Sequence, residues 1–141
     1  MVKGIKNILV PIDGSKNSYR GLDKAMSIAK DDNTTITGIY VFHLPKLAGI
    51  KLTKNMEKEA RAKATRAISI AKGLVEKNGI PFKWKTSAGR TGGAIVNTAK
   101  GIRADMIVIG ARGLGAAKEK FLGSTSNHVM HKANMPVLVV K

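Results

Sequence analysis

Apolar, β-branched runs alternate with helix-periodic stretches along the whole of the 141 residues. Strand-like segments are "IKNILVPI" (5–12), "TTITGIYVF" (34–42), "IPFKWKTSA" (80–88), "MIVIG" (106–110) and "PVLVV" (136–140). Between them Tyr19, Leu22, Met26 and Ala29 share one helical face, as do Ala60, Ala64, Ala67, Ala71 and Leu74, and then Ile95, Ala99 and Ile102. A shorter helix fits 124–133. Five strands with a helix in each gap predict a parallel sheet covered on both faces, because parallel strands need crossover connections and these are right-handed almost without exception. The expected fold is a single doubly wound α/β domain over residues 1–141.

Composition narrows the chemistry. A chain of this length can bury roughly 70% of its unfolded surface without a metal or a disulfide, and it has no cysteine, which removes thiolate nucleophiles and Cys-type zinc sites together. The opening "MVKGIKNILVPIDGS" runs straight into strand-like sequence, and no apolar run approaches the roughly 20 residues that span a bilayer. A soluble, cytoplasmic protein without membrane attachment is expected.

Lys and Arg number 25 against 9 Asp and Glu, a net charge of +16. Such an excess attracts polyanions, whether nucleotide, nucleic acid or anionic lipid, and fixes neither fold nor specificity. From Lys51 to Lys77 the basic residues are mixed with Glu57, Glu59 and Glu76 on a helical pattern, which reads as a solvated face. Aromatics make up 4% of the chain. Without Phe or Tyr interleaved among the cations, the sequence shows no stacking platform of the kind single-strand binders use, and Trp84 reads as a half-buried strand residue. Residues 43–53, "HLPKLAGIKLT", form the longest loop candidate, as a lid, a partner contact or a disordered segment.

In open α/β sheets ligands bind beyond the carboxyl ends of the strands, where the strand order reverses. Two loops carry suitable residues. In "PIDGS" (11–15) Asp13 and Gly14 end the first strand, with Asp13 able to accept from ribose hydroxyls or to cap a turn, and Ser15 placed to cap the next helix. After the fourth strand the spacing is Gly110-x2-Gly113-x9-Gly123-Ser124. Gly110 and Gly113 would let main-chain N–H groups face an anion as a nest. Gly123, Ser124 and Thr125 open the last helix, where amides, dipole and hydroxyls favour negative charge. A tight turn with a flexible connection would account for Gly113 and Gly115, but not for Gly123-Ser124 at a helix start. Arg112, Lys118 and Lys120 are either phosphate neutralisers or solvated cations. His128 and His131, three apart on a helix, make a poor metal pair by themselves, and Asp105 reads as a loop or helix-end residue.

With these residues in place the chain resembles the universal stress proteins over essentially its whole length: "NILVPIDGS", "ADMIVIGARGLG" and "FLGSTSNHVMHKANMPVLVV". The G-x2-G-x9-G-[ST] pattern is the mark of that family's ATP-binding branch. The resemblance implies an adenine-nucleotide α-hydrolase-like fold with strand order 3-2-1-4-5. It implies that Asp13 contacts ribose, that the Val41 main chain reads the adenine edge, that Pro11 and Ile12 wall the base, and that Gly110, Arg112, Gly113, Gly123, Ser124 and Thr125 hold phosphate. Ser15 is a further candidate for the nucleotide site. The implied ligand is ATP or another adenine nucleotide with Mg or Mn, and the implied assembly is a homodimer through the last strand, Val137, Leu138, Val139 and Val140. The stretch "GRTGGAI" (89–95) is richer in glycine than the family leads one to expect, which leaves the third helix start open.

The expected function is regulatory nucleotide binding in a stress response, with slow or no hydrolysis. No G-x4-G-K-[ST] motif supplies the lysine of a P-loop, and no Glu, Gln or His stands out to position an attacking water. The "SGG-x-DS" signature of the related pyrophosphatases does not follow the first strand. The alternative is a basic nucleic-acid-associated protein, for which the sequence shows no recognition motif.

Overall fold

The computed structural model describes residues 4–30, 33–42, 53–112 and 123–141. Its elements are β1 (Asn7–Pro11), α1 (Lys16–Ala29), β2 (Thr35–Phe42), α2 (Lys54–Lys77), β3 (Phe82–Ala88), α3 (Thr91–Gly101), β4 (Met106–Gly110), α4 (Ser124–Lys132) and β5 (Val137–Val140). The strands form one parallel sheet in the order β3-β2-β1-β4-β5, which is the expected order.

Alternation along the strands divides the core in two. Ile8, Val10 and Ile12 pack with Leu22 and Ala25 of α1 and with Ala67, Ile68 and Ala71 of α2. Leu9, Ile39, Ile107 and Ile109 pack on the opposite face with Ile95, Val96 and Ala99 of α3 and Val129 of α4. A central strand covered on both faces can place no polar residue on either, and β1 accordingly reads as continuous apolar sequence from Ile8 to Val10.

Helix faces follow the expected periodicity with shifts: α1 buries Ser18, Gly21, Leu22, Ala25 and Ala29, leaving Tyr19 and Met26 half-buried at the margin. The buried stripe of α2 is Ala64, Ala67, Ile68, Ala71 and Val75, whereas Leu74 is 39% exposed. The alanines let α2 lie close to the sheet, and its last buried turn is carried by Val75. Trp84 also departs from expectation: it is 52% exposed, because β3 is an edge strand whose outer flank no neighbour covers.

One glycine at the start of α3, Gly92, has a packing cause. The N-cap of α3, Arg90, makes no side-chain capping bond, and a Cβ on Gly92 would lie 2.6 Å from Cδ2 of His128 on α4. The ring of His128 therefore rests where only glycine leaves room.

Candidate functional site

The β1–β4 ladder stops short of the carboxyl ends of the two strands. The β1–β2 ladder runs from Asn7↔Thr35 to Pro11↔Ile39, but the β1–β4 ladder contains only Ile8↔Met106 and Leu9↔Ile107. Residue type explains where it stops. Ile12 N donates to Ile39 O at 2.9 Å, so Ile12 and Val10 direct their main-chain groups toward β2, while Leu9 and Pro11 direct theirs toward β4. Proline has no N–H to donate at the next rung. β4 continues to Gly110 without β1 beside it.

The same alternation orients Val41. Since Ile39 faces β1, Val41 two residues on also turns its N–H and C=O to that side, beyond the last paired residue of β1. Val41 is half-buried. Asp13 follows directly on the end of β1. Its Oδ1 accepts from Ser15 N at 2.8 Å, across Gly14 at φ +88°, a backbone angle that suits glycine. Ser15 Oγ accepts from Ser18 N at 3.1 Å and caps α1. Burial and then the Asp13 carboxylate hold the phenols of Tyr19 and Tyr40 above the ordinary tyrosine value, with Tyr40 adding to the effect on Tyr19. Both tyrosines are thereby kept neutral beside the Asp13 charge well into the alkaline range. The Ile12 side chain is 1% exposed and belongs to the core.

On the β4 side, the two ends of the glycine segment meet. Ala111 O accepts from Gly123 N at 2.7 Å, and the buried Ser126 Oγ donates at 3.0 Å to Ala111 O and to Gly123 O. A Cβ on Gly123 would stand 3.2 Å from Ala111 O, so glycine is favoured there by close approach of the two chain segments. Gly123 is the N-cap of α4 and provides no side-chain capping bond, in contrast to Ser15 at α1 and Thr53 at α2. Ser124 is exposed and Thr125 half-buried in the first turn.

Gly110 has a different cause from the one its spacing suggests. A Cβ there would meet Asn17 Oδ1 at 2.6 Å and Asn17 O at 2.7 Å, so its bare face is filled by the start of α1. Asn17, which sequence reasoning missed, links three segments: its Oδ1 accepts from Arg112 N and its Nδ2 donates to Val140 O at 3.2 Å. No local pattern marks it, since its partners lie 95 and 123 residues away. Gly113, Gly115, Lys118, Lys120 and most of the 43–53 loop lie outside the described residues.

The residues singled out by the sequence thus stand at the carboxyl end of the sheet on four segments: Pro11 at the end of β1 with Asp13 and Ser15 after it, Val41 on β2, Gly110 at the end of β4 with Arg112 after it, and Gly123, Ser124 and Thr125 at the start of α4. A separate groove of about 420 Å³ between the end of β3 and α3, lined by Ser87, Arg90, Asn97 and Thr98, contains none of them. Among the described residues no group of three His, Cys, Asp or Glu could hold a metal, and no helix is long and apolar enough to cross a membrane.

Comparison with known proteins agrees with this architecture. The chain is 30% identical over 139 residues to universal stress protein MJ0531 of Methanocaldococcus jannaschii, covering 96% of this chain and 82% of the relative. Protein MJ0577, the subject of a structure-based assignment of biochemical function, superposes with a TM-score of 0.90 at 25% identity, over 99% of this chain and 97% of that one. A universal stress protein in complex with cAMP gives 0.70 at 24% identity, covering 98% of both chains. A universal stress protein family protein from Arabidopsis thaliana with AMP bound gives 0.72 at 16%, covering 96% of this chain and 91% of that one. Residues 4–141 match the description "Universal stress protein family", and the chain belongs to that family.

Proposed function

We propose that this protein is a nucleotide-binding regulator of a stress response that holds ATP, or another adenine nucleotide, at the carboxyl ends of β1 and β4 and hydrolyses it slowly or not at all. The observation that carries the reading is the early end of the β1–β4 ladder, which falls at the switch point of the sheet, where open α/β sheets take their ligands. Structural relatives solved with cAMP and with AMP support an adenine ligand, and the full G-x2-G-x9-G-[ST] spacing supports the ATP-binding branch of the family.

Each group has a distinct task in this reading. Val41 offers one donor and one acceptor toward the adenine edge. Pro11 walls the base with its ring, while Ile12 contributes main chain only, its side chain being committed to the core. Asp13 accepts from ribose while Oδ1 also fixes the turn to Ser15. The first-turn amides of α4, spared a side-chain cap, join Ser124 and Thr125 in donating to phosphate. Arg112 adds a positive charge at the mouth, and Gly113 completes the motif. A divalent cation, with no cluster of protein ligands among the described residues, would be carried by the phosphates, Mg or Mn supplying charge neutralisation there. Ser15 acts as the cap that holds the Asp13 turn. Residues 1–141 act as one domain in a cytoplasmic homodimer joined through β5.

Denaturing the purified protein and separating the released small molecules tests the ligand without prior choice. An adenine nucleotide is expected in stoichiometric amount, or, if the site empties on purification, micromolar ATP binding by calorimetry that Gly123→Val reduces at least tenfold. Binding unchanged in Gly123→Val would refute the phosphate assignment. Phosphate release within the roughly 1 to 10³ s⁻¹ of ordinary enzymes would refute slow turnover.

A further inference from the structure

Trp84 is the chain's sole tryptophan, and it stands 52% exposed on the outermost strand. An indole is the largest apolar surface a chain can place in water, and its N–H and ring face suit it to contacts with partners. Its neighbours are cationic. Lys72 of α2 lies with Nζ 5.4 Å from the ring centroid, within the range of a cation–π contact. Lys83 and Lys85 flank Trp84 on β3 and are exposed. Strand alternation turns Lys83 and Lys85 to the opposite face of β3 from Trp84, so they border the edge while Lys72 is the cation beside the indole ring.

The charges of α2, a mixed face in the linear sequence, are partly sorted by the helix. At 100° per residue Lys54, Lys58, Arg61 and Lys72 fall within one narrow stripe, and all four are exposed. Lys72 fixes the direction of that stripe, because it is the member that reaches Trp84. The flank of α2 along β3 therefore carries four cations over about 27 Å, with Thr65 and Ser69 between them, Glu57 on its border one turn before Arg61, and Glu76 one turn beyond Lys72.

We propose that the β3 edge and this flank of α2 form a track for single-stranded nucleic acid, with Trp84 as the stacking platform and Lys54, Lys58, Arg61 and Lys72 as phosphate contacts. Charge complementarity selects a polyanion, in keeping with the net +16. The indole selects an unpaired base, because a ring face gains from stacking only on a base free of its own duplex neighbours. Lysines along β3 discourage another strand from pairing with this edge and leave it open to such a ligand. The track shares no residue with the site at the ends of β1 and β4 and stands independently of the nucleotide reading.

Having one tryptophan makes the test direct. The intact protein is titrated with a dT20 oligonucleotide at 50 to 200 mM salt while indole emission is followed. Quenching is expected, with a slope of log affinity against log salt near −3 for about four phosphate contacts. Trp84→Ala, followed by anisotropy of a labelled oligonucleotide, is expected to weaken binding roughly 5- to 100-fold. The double variant Lys58→Glu and Arg61→Glu, which keeps the indole, is expected to weaken binding and flatten the salt slope. Arg20→Glu with Lys24→Glu on α1 changes net charge equally and is expected to stay within about twofold of the parent. Absence of binding at 50 mM salt overturns the proposal. So does equal loss in the two double variants, which would mean net charge alone, competition by saturating ATP, or quenching by anionic phosphatidylserine vesicles without any by the oligonucleotide.

Discussion

The two edges of the sheet are built on opposite principles. β3 ends one side with Lys83, Trp84 and Lys85 exposed, and β5 ends the other with Val137, Leu138, Val139 and Val140, all half-buried and none charged. Both present a row of main-chain groups that a further strand could pair with. Lysine on an edge makes such pairing unfavourable, whereas an uninterrupted apolar edge invites it. The difference matches the two proposals made above: a second copy of the chain at β5, joined by two-fold pairing of the same strand, and a non-strand ligand at β3. Anchoring differs in the same sense. Val140 O accepts from both Ala111 N and Asn17 Nδ2, which fixes the end of β5 against β4 and α1. β3 is held through β2, with Ile36 N donating to Pro81 O and Gly89 N to Phe42 O at its two ends.

Moving charge onto β5 should break the contrast most completely. Val139→Lys places two like charges across the proposed two-fold joint, a cost of several kcal/mol, and should raise the dimer dissociation constant by on the order of 100-fold or more. Light scattering at micromolar concentration should then give the monomer mass. A parent that is already monomeric there, or a variant that stays dimeric, would refute β5 as the joint.

Removing charge from β3 is the converse experiment, with a smaller effect. Lys83→Val with Lys85→Val should turn the protected edge into a sticky one, seen as scattering that grows with time on gentle warming while the parent stays clear. Asn17→Ala probes the anchoring of β5. Losing its bonds to Arg112 N and Val140 O should cost about 1 to 3 kcal/mol of unfolding free energy, measured by urea denaturation. The smallest expected difference lies between helix caps. Ser15→Ala and Thr53→Ala should each cost about 1 kcal/mol, with Ser15 the dearer. Its hydroxyl belongs to a network in which Ser18 Oγ donates back to Ser15 O and Asp13 fixes the turn, while Thr53 makes one exposed capping bond to Met56 N.

How far these features can be read from sequence depends on the range over which their causes act. β4 was placed to the residue and β2 within one, because each is an apolar run bounded by polar or turn residues. The alternation of elements yields a parallel, doubly wound sheet, and the strand order comes from the family resemblance alone. The glycines of the site were found by spacing, but the reasons for two of them were not. Gly110 is bare because Asn17 occupies the space, and Gly123 because Ala111 O approaches it, contacts made across 93 and 12 positions of chain that no local window contains. Pro11 was read as a wall for a base, and its effect on the β1–β4 ladder became clear only when the direction of each strand's main chain was known. Trp84 is more exposed than its sequence context indicates for a related reason: "FKWKTSA" looks like any strand until the topology puts it at the margin.

Asp105 offers a last consequence, one of timing. Its Oδ2 accepts from Lys6 N at 2.9 Å and Asn7 N at 3.0 Å, and its own N donates to Asn7 O at 2.8 Å, closing the entrance of β1 with a residue made almost 100 positions later. A ribosome adding 5 to 20 residues per second takes roughly 5 to 20 s to cover that distance. Until then β1, a central strand of the finished sheet, has at most β2 on one side and open main chain on the other. The chain is then at its most exposed to wrong pairing or to a chaperone, and the arrival of Asp105 with β4 ends the wait.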